Sequence, residues 1–434
     1  MRPAPNGAAT WSAIIASVAS AFTRPSFAIF ADLAAGWVLT PGRRTITRII
    51  CVVDPGHRRS HDAYHRFLRD GVWEMGELWR VLAVAMVARL VAPDAPVVID
   101  LDDTLHHKTG RHVEGAGIFR DAVRSTRNRT VHALGLNLVV ITLRITPPWG
   151  GMPIGLPVAA RVRRKTDGPS TVELARAMLL ELAGWLPEHH FQLACDGAYA
   201  TLCGAGIERV HVTSRLRRDA AVYALTPPRT GRRGRPRKKG ERLPALAVQA
   251  AEATGWQTVT YDQRGTKIVR QVWSRRLLWY HVAKDRPLLL VIVRDPDGIQ
   301  PDDYFITTDI DATPEWVACH YAGRWSIEVT FRDEKQHLGG EDPQCWKRQG
   351  PERAACLSLW LHATIWLWYL QVWGPQRSWT PTPWYPAKTH ASFADALAAL
   401  RVVLWRQRIT PVWSHDQLSD DIRDQLIGVL AQAA

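Results

Sequence analysis

Residues 312–340 read ATPEWVACHYAGRWSIEVTFRDEKQHLGG. Thr313 is a good N-cap, Pro314 fits the first helical position and Gly339-Gly340 closes the run, so the stretch predicts one long helix. Tyr321, Arg324, Glu328 and Lys335 stand within it. At about 100° per residue, Arg324, Glu328 and Lys335 project near about 300°, 340° and 320° from Tyr321, so all four share one stripe. That stripe is polar and mixed in charge, where a core-facing stripe would be apolar. It is either a solvated face or a set of side chains gathered for one task.

Upstream, VVIDLDDTLHHKTG (97–110) runs from an apolar strand of the buried type into acids. Asp100-Leu101-Asp102-Asp103-Thr104 resembles the D-x-D-x-T motif of haloacid-dehalogenase-type phosphatases, which would make Asp100 a nucleophile and Asp102 a general acid. That reading also wants a lysine and a later acidic pair. Neither Asp196 nor DPDGIQPDD (295–303) forms such a pair in the expected context.

RHVEGAGIFR (111–120) and ALGLNLVVITLRI (133–145) read as further strands, then STVELARAMLLELAGWL (170–186) as an amphipathic helix. FQLACD (191–196) is a strand, AYATLCGA a short helix, and ERVHVTSR (208–215) a strand. This is an α/β order with a mixed sheet. TPPRTGRRGRPRKKGERLP (226–244) interrupts it with eight Arg or Lys between 229 and 242. Such a composition cannot pack a core and predicts an exposed loop. WQTVTYDQRGTKIVRQVW, LLWYHVA, PLLLVIVRD and DYFITTD (303–309) follow as strands. Residues 1–90 read as mostly helical. Arg58, Arg59, Arg66 and Arg69 there suit either a helical DNA-binding module or a bundle with a basic face.

The chain of 434 residues carries a formal net charge of +14, which favours an acidic partner, nucleic acid first. Its six cysteines form no C-x-x-C pair, so reduced thiols in a cytosolic protein are expected. ATWSAIIASVASAF is a poor signal peptide. CLSLWLHATIWLWYLQVWG (356–374) is nearly long enough to span a bilayer, yet His362 and Gln371 favour a buried core helix, and no membrane partner is expected.

The pattern Tyr321-x2-Arg324-x3-Glu328-x6-Lys335 resembles the Y-R-E-K signature of bacterial insertion-sequence transposases of the DDE superfamily. The resemblance covers about 97–375. It implies an α/β, ribonuclease-H-like core interrupted by a β-rich insertion, with three catalytic, metal-binding acids. Asp102 or a neighbour follows the first strand, Asp196 the fourth, and Glu328 lies on a late helix; Asp100 and Asp103 compete for the first place. The implied layout is a helical region at 1–90 and the core at 94–216 and 301–375. The insertion is then 217–300, its basic loop 226–244, and a helical C-terminal region 376–434.

Carboxylates at strand ends and on a facing helix suit hard divalent cations. Two Mg²⁺ about 4 Å apart can activate a water or 3′-hydroxyl and stabilise the leaving oxygen of a phosphodiester. The resemblance implies two Mg²⁺, with Mn²⁺ able to substitute. It assigns Arg324 and Lys335 to transposon-end phosphates and Tyr321 to positioning the same strand. Lys108 is a further basic residue near the first acids. The G-R-P run contributes Arg233, Arg235, Arg237 and Lys238 as a DNA-lying arm resembling an AT-hook.

The expected function is cut-and-paste DNA transposition: binding of terminal inverted repeats, metal-dependent cleavage, and strand transfer into target DNA. The active complex would be a homodimer, in the bacterial cytoplasm at the nucleoid. The alternatives are the Asp100 phosphatase and a non-catalytic DNA-binding protein derived from a transposase.

Overall fold

The computed structural model describes residues 6–433 apart from 127, 167, 229–236, 380–381 and 414–418. Five helices come first: α1 (Gly7–Ala16), α2 (Arg24–Leu39), α3 (Ile46–Val53), α4 (His61–Asp70) and α5 (Met75–Leu90). Thr23 and Thr45 cap α2 and α3 by accepting from Ser26 and Arg48 backbone N–H groups, and Pro25 pre-sets the first turn of α2. The sheet follows with β1 (Val97–His107), β2 (Gly117–Arg120), β3 (His132–Ile145) and β4 (Ile154–Arg163). Next come α6 (Thr171–Trp185), β5 (Phe191–Cys195), a 3-10 turn (Gly197–Gly204) and β6 (Val210–Arg215). Then follow α7 (Leu246–Glu252), β7 (Gln257–Gln263), β8 (Thr266–Leu277), α8 (Tyr280–Ala283), β9 (Leu288–Arg294) and β10 (Asp303–Thr307). Helices α9 (Pro314–Gly323), α10 (Trp325–Leu338), α11 (Gly350–Val372), α12 (Phe393–Ile409) and α13 (Asp420–Gln432) complete the chain.

All ten strands form one mixed sheet in the order β2-β3-β1-β5-β6-β10-β9-β8-β7, with β4 also paired to β3. The centre β4-β3-β1-β5-β6 has β1 antiparallel to β3 and parallel to β5, and β5 parallel to β6. This is the ribonuclease-H-like arrangement, an α/β fold. Helices α10 and α11 pack on β4, and α10 reaches β1; α6 packs on β3 and β4 with the 3-10 turn. Strands β7–β10 form no separate layer: β10 pairs with β6, and α9 lies on their face through Val317 and Ala318.

Helix α11 is long and apolar enough to cross a bilayer, but 83% of its most apolar window is buried in the protein. Its Trp360 and Trp368 donate indole N–H bonds to the Leu78 and Gly7 carbonyls, tying it to the N-terminal helices. Arg58, Arg59, Arg66 and Arg69 pair with Asp54, Asp32, Asp62 and Asp70, so those four charges are locally neutralised.

Four sequence expectations change. The strand at 111–120 shrinks to Gly117–Arg120, because residues 111–116 form turns. IGLPVAARVR, unrecognised because Pro157 demotes a strand, is β4; the pairing register shifts beside Pro157, between the partners of Ile141 and Thr142. LLWYHVA is the end of β8 and the short α8. The helix over 312–340 is two helices, joined at Arg324, whose N–H bonds the Tyr321 carbonyl three residues back. A Cβ on Gly323 would lie 2.5 Å from Arg144 Nη1, so the close approach of that guanidinium needs glycine there.

Candidate active site

In the parallel β1–β5 register Leu101 is opposite Cys195, so Asp102 and Asp196 are the next residues on two adjacent strands. Neighbouring strands lie about 4.8 Å apart, which sets the two acids side by side at the carboxyl end of the sheet. Glu328 faces them from the first turn of α10, where a carboxylate also complements the helix dipole. All three line one cavity of about 560 Å³ with Asp103, Asn137, Arg324 and Lys335.

The three competing aspartates have different surroundings. Asp100 is fully buried and held by the Arg144 guanidinium, through Nε at 2.9 Å and through Nη2, and by Ser326 Oγ at 2.9 Å. It has no route to a substrate, so the phosphatase reading loses its nucleophile. Arg144 also donates to the His320 carbonyl at 2.7 Å and packs against Gly323, so the Asp100–Arg144 pair fixes the α9–α10 joint. Asp103 points to the other face, accepting from Asn137 Nδ2 at 2.8 Å and Tyr199 OH at 2.9 Å. Asp102 faces α10.

Arg324 lies between the acids. Its Nη1 is 2.5 Å from Asp102 Oδ2 and its Nη2 3.4 Å from Glu328 Oε1. Burial pushes the Asp102 carboxyl up to about 7, against the pull of Arg324 and of the Asp103 N–H; the Asp103 and Glu328 carboxylates push the same way as burial. Burial alone would lower Arg324, but Asp102, Tyr321, Glu328 and Asp196 together hold it above its ordinary value. For this coupled pair the arginine is the secure ion, since guanidinium keeps its proton in any protein setting, and the carboxyl is the partner that yields.

Tyr321 packs on Phe305 with ring centroids 4.3 Å apart, and Arg324 sits 5.6 Å over its ring. Burial raises its hydroxyl to about 12. Lys335 donates to the Leu105 carbonyl at 2.7 Å and lies 3.7 Å from Glu341. All four members of the stripe therefore reach the cleft, although the helix beneath them is broken. Lys108 does not: it donates to the carbonyls of Glu341 and Pro343 and anchors that loop, its amine lowered by burial. Arg233 and Arg235 lie outside the described residues. Arg237 and Lys238 are exposed at the loop's end, where the Lys238 carbonyl accepts from Thr226.

A second cavity of about 270 Å³ shares Asp196, Arg324 and Glu328 and runs to the β7–β8 hairpin, with Arg215, Arg264 and Arg270. Arg264, at φ 53° in the hairpin turn, stacks 3.5 Å over Trp325. A third, of about 460 Å³, lies beside it, lined by Met152, Trp316 and Trp325, and contains none of the three acids. The sequence did not point to Arg264 or Arg270; a basic Arg-Gly turn between two strands was the available signal.

Among the described residues no three metal-ligating side chains are gathered closely enough to hold an ion. The donors at the cleft are nevertheless all carboxylate oxygens, which fit a hard divalent cation, and a guanidinium supplies the positive charge between two of them. The fold is that of the ribonuclease-H-like class, with these acids at the ends of its strands and on α10. A family model described as DDE superfamily endonuclease matches residues 18–281, and the chain belongs to that family. The match contains Asp102 and Asp196 and ends before Glu328. No curated protein matches the chain.

Proposed function

We propose that this chain is a DNA transposase of the insertion-sequence type, with Asp102, Asp196 and Glu328 as its catalytic acids. The observation that carries the reading is the convergence of those three acids, from β1, the end of β5 and α10, on one cavity with Arg324 and Lys335, with Tyr321 in the adjoining cavity that shares Asp196, Arg324 and Glu328. The three carboxylates would hold Mg²⁺, which supplies activation of a water or 3′-hydroxyl and charge stabilisation at the leaving oxygen. Arg324 neutralises Asp102 and Glu328 in the free chain and, once released, is the bidentate donor for a phosphate. Lys335 supplies a point charge beside it, and Tyr321 a ring against which the strand is positioned. With little covalent chemistry asked of the protein, positioning and charge carry the rate.

In this reading the substrates are transposon ends and target DNA, and a homodimer pairs the two ends in the cytoplasm. Arg237 and Lys238, with Arg233 and Arg235, add salt-dependent affinity along the duplex. The test is strand cleavage and joining on DNA carrying the element's inverted repeat. Products with free 3′-hydroxyls that require Asp196 support transposition. Cleavage without joining reduces the protein to a nuclease.

A further inference from the structure

The loop between β2 and β3 has no role in the reading above, yet Arg120, Asp121, Ala122, Val123 and Arg124 form one wall of the 560 Å³ cavity that contains the acids. It is firmly built. The Asp121 N–H bonds the Val131 carbonyl at 2.8 Å, and Ser125 exchanges bonds with Val131 in both directions. Asp121 Oδ1 accepts from the Arg124 N–H at 3.1 Å, closing the tip. The base is pinned from below: Asp121 is 2% exposed, and its Oδ2 is 2.8 Å from His107 Nε2. His107 Nδ1 lies 2.9 Å from Glu341, which also neighbours Lys335. A buried acid thus binds the loop to β1 and to the ground beneath the signature lysine.

What residues 120–125 present is cationic and largely exposed. Arg120 and Arg129 have no acidic partner among the described residues, and Arg124 is 64% exposed, with Asp121 no nearer than 3.9 Å. Val123, between them, is 90% exposed. Arg58, Arg59, Arg66 and Arg69 of the N-terminal helices, by contrast, each sit against an acid. Arginines that are exposed and at most distantly paired, beside three carboxylates, have little value for folding; they suit a polyanion laid across the cleft.

The two cavities that meet at Asp196, Arg324 and Glu328 give that polyanion a direction. One runs to the β7–β8 hairpin and the other to this loop. We propose that residues 120–125 form a finger that grips duplex DNA through two backbone phosphates, on the side of the reacting phosphodiester away from the β7–β8 hairpin. Arg120 and Arg124 make the contacts and the Asp121–His107 pair holds them in place. The proposal rests on the transposase reading and adds a binding surface to it.

The test is fluorescence anisotropy of a labelled duplex in Ca²⁺ across a salt series, with wild type, Arg120→Ala/Arg124→Ala and Arg120→Lys/Arg124→Lys. Removing two phosphate contacts should reduce the slope of log K against log salt by about 1.8, which is roughly 60-fold weaker binding at about 0.1 M salt and little change near 1 M. The lysine pair should restore most of the slope, and thermal melting should be the same for all three, since both side chains are exposed. An unchanged slope in the alanine pair, with wild type binding normally, overturns the finger and leaves the transposase reading intact. Wild type that binds no duplex at any salt overturns both.

Discussion

Replacing Arg144 with methionine separates the structural from the chemical role of the acids on β1. In the native chain Asp100 is fully buried and Arg144 is 9% exposed, and the two share a forked contact. Methionine leaves the Asp100 carboxylate with Ser326 Oγ as its remaining donor and removes the 2.9 Å and 2.7 Å bonds to Asp100 and the His320 carbonyl. Breaking one side of a buried pair costs about 3–5 kcal/mol, because the surviving charge is stranded in a low dielectric. Asp100→Asn should also destabilise, since the amide accepts from one arm of the fork, turns its own N–H toward the other, and leaves the Arg144 charge buried without its counterion. The double variant Asp100→Asn/Arg144→Met should lose clearly less than the sum of the singles, the mark of a coupled pair. Urea unfolding followed by tryptophan fluorescence, in chelator, reads all four proteins. A loss below about 1 kcal/mol for Arg144→Met, the range of a surface pair, would refute the reasoning. So would an Asp100→Asn protein of native stability that had lost a hydrolytic activity present in wild type, because Asp100 would then be doing chemistry.

Other consequences follow from the same cleft. Burial raises the Asp102 carboxyl to about 7 in the folded chain, against about 3.9 for an unfolded aspartate. A raised carboxyl favours folding while protonated, so metal-free stability should fall as pH rises from about 4 to about 7 and then level off. Asp102→Asn should flatten that segment of a stability–pH profile taken in chelator, and an unchanged profile contradicts the assignment. Arg324 competes with cations for Asp102 and Glu328, so Arg324→Ala should lower the half-saturating Ca²⁺ by about tenfold in calorimetry, near 1.4 kcal/mol, while DNA cleavage falls. Weaker Ca²⁺ binding in that variant would show that Arg324 supports the ligands instead. Lys108→Met should cost about 1–3 kcal/mol by leaving the Glu341 and Pro343 carbonyls unbonded, without changing the salt slope of DNA binding. A changed slope would return Lys108 to the DNA surface.

Much of the site was legible because its signals are local. An apolar strand running into acids marks β1, and the spacing of Tyr321, Arg324, Glu328 and Lys335 survives the break at Arg324 because that residue keeps right-handed helical angles, φ −54° and ψ −23°. What the sequence could not separate was Asp100 from Asp102: both point to the same face of β1, and only the depth of Arg144, on a strand 44 residues away in sequence, distinguishes them. Strand β4 was hidden by Pro157, and the break between α9 and α10 by a Gly-Arg pair that is ordinary within a helix. The finger at 120–125 was invisible for another reason. Its anchor, Asp121, is an acid beside arginines in sequence and a buried partner of His107 in space.

The account stands or falls on a Mg²⁺-dependent cleavage assay with DNA bearing the inverted repeat, comparing wild type with Asp196→Asn and Glu328→Gln. Both variants keep side-chain shape and should melt within a few degrees of wild type in chelator. With three catalytic acids, wild type cuts at the repeat end and neither variant does. Cleavage by Glu328→Gln at the wild-type rate would remove α10 from the chemistry and contradict the three-acid site.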